Sequence, residues 1–277
     1  LHRIKALART TKKRAQQLKH DRFRDTTLDA AGRLHHRFEG RGRTILYAIG
    51  GLVALVALLI AFNWWRERQA DAARLALGKA IEIAEAPVSP TPAPNQTGPT
   101  FPNEQERARK AVEAFQKVQS DYGSPYSELA RYLAAANLLT VDRPKGISEL
   151  EALAKGGGAE VAARARFALA QAREADGQYG PAEALYRELL NDKGGAVSQN
   201  AVRLRLATAL EKQGKKDEAV NLLFEMVKAA REAKGKDDKP LQPSTVVRAA
   251  ADKLKELSPE RHAQLPAEPP PTGALPF

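Results

Sequence analysis

Three patterns of apolar and polar positions follow one another along the chain. From Thr44 to Trp65 the run TILYAIGGLVALVALLIAFNWW is apolar on all sides and contains no charged side chain. A helix of these 22 residues, at about 1.5 Å per residue, matches the roughly 30 Å hydrocarbon core, so the run predicts a transmembrane helix. A secretory signal would be shorter and would be followed by a small-x-small cleavage site. Tyr47 and the pair Trp64 and Trp65 stand near the two ends, as interfacial aromatic anchors do.

The second pattern is amphipathic. Between Arg66 and Glu85 the apolar residues Ala70, Ala73, Leu77, Ala80, Ile81 and Ala84 recur at three-and-four spacing, which predicts a helix continuing directly from the span. Unbroken from Thr44 to Glu85, it would be ~60 Å long. Pro87 ends it. Residues 87–103 then hold 6 of the 17 prolines and no charged side chain, which predicts an extended, polyproline-like connector or a loop rather than a helix or strand. A P-x-x-P docking motif is the alternative, and the bases that commonly accompany one are absent.

The third pattern repeats. Residues 104–257 are helical in period, Ala-rich, and broken by Gly, Asp and Pro turns. Four segments pair an anchor with a second apolar position: Ala111 with Phe115, Ile147 with Leu150, Ala182 with Tyr186, and Ala219 with Leu223. The anchors lie 36, 35 and 37 residues apart, close to the tetratricopeptide period of about 34. In the clearest unit Leu169 and Ala170 supply a large and a small residue to the first helix. Asp176-Gly177-Gln178-Tyr179 makes the turn, and Ala182, Tyr186 and Leu189 line the second helix. The small residues let antiparallel helices approach closely, and the bulky ones fill the grooves between them. The next unit uses Leu206, Ala207, the turn Gln213-Gly214-Lys215-Lys216-Asp217, then Ala219, Leu223 and Met226. Residues 244–257, with Ser244 as N-cap, read as a capping helix.

The fold class expected is therefore all-α: one transmembrane helix extended into an amphipathic helix, followed by a tetratricopeptide-like α-solenoid. Its divisions are a basic cytoplasmic tail (1–43), the span (44–65), a helical extension (66–86), a Pro-rich linker (87–103), the repeat domain (104–257) and a Pro-rich tail, disordered unless bound (258–277).

Charge changes the picture by giving it a direction. The net charge of +11 divides into +9 for residues 1–43, with 13 bases and 4 acids, and +2 for the rest. The positive-inside rule then places the N-terminal tail in the cytoplasm and the repeats outside it, in the periplasm of a double-membrane bacterium, with the span in the inner membrane. Lys5, Arg9, Lys12, Lys13, Arg14 and Lys19 form a tail suited to the anionic inner leaflet, each base near the surface contributing about 1 kcal/mol. Nucleic-acid or ribosome binding is the rival reading, and only Phe23 and Phe38 interleave the bases.

A basic tail, one span, an Ala-rich helical extension and the units DGQYGPAEALYRELL and QGKKDEAVNLLFEM together resemble bacterial single-pass membrane proteins with tetratricopeptide-like domains, including the ancillary periplasmic subunit of the Sec translocon. That resemblance implies a protein-binding accessory subunit or scaffold of a membrane complex. Two roles stay open, a folding helper for translocated chains and a docking subunit of a respiratory or photosynthetic assembly.

No catalytic set, cofactor or metal site is expected. Without Cys the chain has no disulfide, thiolate ligand or Cys nucleophile. His35 and Glu39 are four apart but make only two ligands. Gly156-Gly157-Gly158 lacks the Gly-Lys-Ser/Thr ending of a phosphate loop and reads as an inter-repeat turn. Two interaction surfaces are expected instead. Gly50, Ala54, Ala57 and Ala61 put small residues on one face of the span, for close approach of another transmembrane helix. Arg164, Gln171, Glu174, Thr208, Glu211 and Lys212 would line the concave side of the repeats.

Overall fold

The first described helix, α1 (Gly42–Glu85), runs unbroken for 44 residues through both of the first two patterns. It contains no Pro and ends two residues before Pro87, as the backbone of a residue preceding Pro is turned away from the helical region. The structure is a computed structural model and describes residues 42–89, 98–192, 194–235, 238 and 240–269. It divides into two compact units, one ending at Arg68 and the other beginning at Gln69. The basic tail residues Lys5 to Lys19, His35 and Glu39 lie outside the described residues.

In the first unit, residues 46–68 of α1 expose every side chain, including Leu58 at 67% and Ile60 at 65%. Among the described residues α1 is the one helix long and apolar enough to cross a membrane. At the polar end of the run, the Arg68 guanidinium lies 4.1 Å from the Trp64 ring centroid, and Asn63 donates to Glu67 at 3.0 Å.

The second unit begins with the rest of α1. Its apolar stripe packs inward: Ala73 and Ala80 are 1% exposed and Leu77 7%. Leu77 and Ala80 meet α2 (Glu104–Asp121) and α3 (Tyr126–Val141) in a cluster with Ala111, Phe115, Val118, Ala130 and Ala134. Burying Phe115 completely contributes on the order of 2–3 kcal/mol by itself. Arg74 Nε reinforces this contact, donating to the Tyr126 hydroxyl at 2.7 Å. The segment that reads as a helical extension is thus the first helix of the first pair. The ends of the Pro-rich stretch come together rather than apart. Phe101 N donates to Pro87 O at 3.1 Å, Ser89 N to Phe101 O at 2.9 Å, and Arg107 to the Ala86 carbonyl at 3.3 Å.

Helix pairs then continue in order: α3 with α4 (Arg143–Gly156), α5 (Ala159–Ala175) with α6 (Tyr179–Asn191), α7 (Gln199–Lys212) with α8 (Lys216–Glu232), and α9 (Thr245–Leu257) with the one-turn α10 (Pro259–Ala263). Each helix packs on its neighbours in sequence, and first helices also meet across pairs, α3 with α5 and α7 with α9. The protein is all-α, with one long apolar N-terminal helix followed by paired helices of the tetratricopeptide-like solenoid type.

Local chemistry explains the boundaries. Asn103, Asp142, Ser198 and Ser244 each cap a helix through a side-chain oxygen that accepts a backbone N–H. The α5–α6 and α7–α8 turns pass through Gly177 and Gly214 with φ of +72° and +78°, a region that residues with a Cβ disfavour. The small residues do what close packing requires. Ala170, Ala182, Ala207 and Ala219 are completely buried. In α4 the close approach is made by Gly146, one residue before the expected Ile147. A Cβ on Gly146 would lie 2.7 Å from Leu139 N, against the α3 backbone. Order also extends past residue 257: α10 forms, and Leu265 packs on the main core.

Candidate protein-binding surface

The first helices of successive pairs share a register. Tyr132, Phe167 and Leu204 occupy equivalent places on α3, α5 and α7, separated by 35 and then 37 residues. Ala136, Gln171 and Thr208 form a second row at the same spacing, and Leu139, Glu174 and Glu211 a third. Tyr132, Phe167 and Leu204 are all half-buried, with part of each side chain on the core and part at the surface. Phe167 meets Tyr186 edge-on, with centroids 6.0 Å apart. Burial raises the Tyr132 phenol pKa, while Arg164 on α5 acts in the opposite sense across the gap between the two helices.

Most of the polar residues expected on this face are engaged within the chain. Glu174 accepts a 2.8 Å hydrogen bond from the Tyr186 hydroxyl and stands 3.6 Å from Arg205 on α7, joining α5, α6 and α7. Burial first, and then this bond, push the Tyr186 phenol far above its usual range, so it stays protonated and donating. Glu211 lies 2.6 Å from Lys253 Nζ on α9, both side chains less than a quarter exposed. Arg164 donates to Glu160 at 2.7 Å, and Thr208 donates back to the Leu204 carbonyl at 3.1 Å. Gln171 is half-buried and Lys212 is exposed. Glu174 and Glu211 therefore tie successive first helices together, while Arg164, Gln171 and Thr208 lie one turn from the apolar row along α5 and α7, and Lys212 lies two turns from it.

Sequence patterning singled out the polar rows and passed over the apolar one. The signal was present, because the 35-and-37 spacing that relates Glu174 to Glu211 also relates Tyr132, Phe167 and Leu204. Spacing cannot tell such positions from core positions, and the structure leaves one side of each uncovered.

A different geometry holds the second helices. Glu183 of α6 accepts from Arg187 at 2.8 Å, from Gln213 at 2.9 Å and from Lys215 at 2.7 Å, the last two in the α7–α8 turn. Burial pushes this carboxyl up, but the donors from Lys215, Arg187 and Gln213 outweigh it and hold the pKa at about 2. Between α4, α5 and α6 lies a groove of about 700 Å³ lined by Glu151, Arg166, Leu169, Arg173, Leu185 and Glu188. Its two guanidinium groups are engaged, Arg173 with Glu151 at 2.6 Å and Arg166 with the Ala154 carbonyl at 3.1 Å. The Gly156–Gly158 turn is occupied by the chain itself, since Gly158 N donates to the Glu128 carboxylate at 3.1 Å. Among the described residues no group of three or more His, Asp or Glu side chains is arranged to hold a metal ion. Gly50, Ala54, Ala57 and Ala61 all lie on the exposed part of α1, and a Cβ built on Gly50 meets nothing of this chain within 4 Å.

No protein-family model and no curated protein sequence matches the chain. Among solved structures, it is similar to nearly identical TPR-like repeats of a candidate kinesin light chain from Podosopora anserina. The identity is 19% and the TM-score 0.44, over 58% of this chain and 82% of that one. The repeat assignment rests on the helix packing described above.

Proposed function

We propose that the protein is a non-enzymatic scaffold or accessory subunit of a membrane complex. Residues 44–65 anchor it in the inner membrane of a bacterium, the basic tail lies in the cytoplasm against anionic lipid, and the repeat unit recruits other proteins on the opposite side. The observation that carries this reading is the row Tyr132, Phe167 and Leu204, half-buried and in register on three first helices. Aromatic and aliphatic side chains presented on a rigid helical frame are the usual anchors of peptide and helix recognition. The all-exposed apolar stretch of α1 and the concentration of bases before it support the anchoring and its direction. The same small-residue stripe on α1 would receive a partner's transmembrane helix.

The test is photo-crosslinking in native membranes. A crosslinker at Phe167 should capture a discrete partner by mass spectrometry, while one at Glu188, exposed on α6, should not. Equal capture at both positions overturns the surface assignment. The identity of the captured protein decides between secretion machinery and an energy-transducing assembly. Because the chain has no Cys, orientation is readable with single introduced thiols. A membrane-impermeant maleimide applied to spheroplasts should label Glu225→Cys and leave Lys12→Cys untouched.

A further inference from the structure

The described chain after α9, as far as Pro269, stays on the solenoid. Ser258 caps α10, Arg261 lays its guanidinium 4.0 Å above the Phe224 ring of α8, and the chain then runs without regular structure from Gln264 to Pro269 along the groove between α8 and α9. Three features hold this segment. Leu265 packs on the main apolar cluster. Arg231, whose side chain is only 11% exposed, donates to the Pro266 carbonyl at 2.6 Å. The Glu268 carboxylate faces two bases, 4.0 Å from Arg231 and 3.8 Å from Arg248.

These are the contacts of a groove that reads a peptide. One guanidinium grips a main-chain carbonyl whatever the side chain, an apolar pocket takes one leucine, and a pair of arginines selects a carboxylate three positions on. Prolines at 266 and 269 keep the segment extended, so little conformational entropy is lost when it is laid down. The fit is also incomplete. A cavity of about 320 Å³ remains beside the segment, bounded by Val227, Val247, Ala251, Lys255 and His262, and both ion pairs of Glu268 are long. A strap built only to seal the end of the stack would be expected to fill it.

We infer that the α8–α9 groove is a second protein-binding site, specific for extended peptides of the pattern Leu-Pro-x-Glu, and that residues 264–269 occupy it in cis as an intramolecular competitor. A partner presenting the same chemistry displaces the segment, which makes the end of the solenoid a gated site separate from the first-helix face. This inference does not depend on the membrane anchoring proposed above.

The experiment uses the full chain in detergent and a fluorescein-labelled peptide with the sequence of residues 264–269, followed by anisotropy. The double variant Leu265→Asp/Glu268→Lys should release the segment and bind the peptide at least tenfold more tightly than the unaltered chain. Adding Arg231→Ala should remove that gain, and Glu268→Lys alone should give a few-fold increase. Equal or absent binding in the double variant, with its helical circular dichroism intact, overturns the proposal. Loss of helical signal in the double variant also overturns it, because the segment would then be part of the fold. Failure of crosslinking at Phe167 bears only on the first-helix face.

Discussion

The two parts of α1 invert the simplest expectation about hydrophobicity. The part from Leu46 to Arg68 is the more apolar and is exposed throughout, while the part from Gln69 carries Arg74, Lys79, Glu82 and Glu85 and yet contributes Ala73, Leu77 and Ala80 to a core. What separates them is angular distribution. A helix apolar on every side cannot satisfy one protein surface and water together, so it calls for a surrounding apolar medium. A helix with one stripe needs only one neighbour, and α2 with α3 supply it. The opposite face bears this out, since Leu75, off the stripe, is 63% exposed.

Substitutions separate the two environments. Leu55→Arg combined with Leu58→Arg should cost about 5–7 kcal/mol of insertion free energy at about 2.5–3.5 per residue, releasing the protein from carbonate-washed membranes. The melting of the repeat unit should not move, and a parallel loss of helix there would break the comparison. Phe115→Ala acts on the other side. Removing a fully buried ring should cost about 3–5 kcal/mol and lower the melting temperature by roughly 10 °C, with membrane retention unchanged.

Glycines sharpen the contrast further. Gly146→Ala drives a Cβ into the α3 backbone and should cost about 1–3 kcal/mol in denaturant unfolding. Acid distinguishes the parts as well. Glu183 has a folded pKa of about 2 against 4.5 ordinarily, so its stabilisation is complete above pH 4.5 and is lost as pH falls toward 2. With Arg187 and Lys215 nearly half exposed and screened by solvent, the contribution is about 1–2 kcal/mol. Glu183→Gln should therefore lower stability at pH 7 and flatten the acid limb of the stability profile. The smallest effect on folding belongs to Gly50→Ile with Ala54→Ile, where the chain offers nothing to clash with. Unfolding should be unchanged while a membrane partner is lost on co-purification. An unaltered partner profile would remove the stripe from the proposal.

Much of the fold was legible because it is set by local periodicity. The 22-residue apolar run, the three-and-four stripe after it, the Gly177 and Gly214 turns and the Ser244 cap each declare a conformation within a few residues. Two features show where a local reading stops. The composition of the Pro-rich stretch forbids helix, but composition does not say whether the helices on either side meet. Ile147 looked like the α4 anchor because it is the apolar residue at the expected spacing, whereas the contact itself demanded the smallest residue, Gly146, next to it. The first-helix face was half legible. Its register could be counted, but exposure depends on what lies across a groove, and that is non-local.

The sequence by itself determined where the Gly177 and Gly214 turns and the Ser244 cap fall, that the apolar run is uniform around its axis, and that the charge is gathered before it, because each is a property of neighbouring residues. Only the tertiary structure decided that residues 69–86 open the solenoid, that Glu174 and Glu211 serve as ties between pairs, and that Leu265 to Pro269 fold back onto α8 and α9. Those outcomes depend on which surfaces come within reach once the helices pack, and segments distant in the chain settle them together.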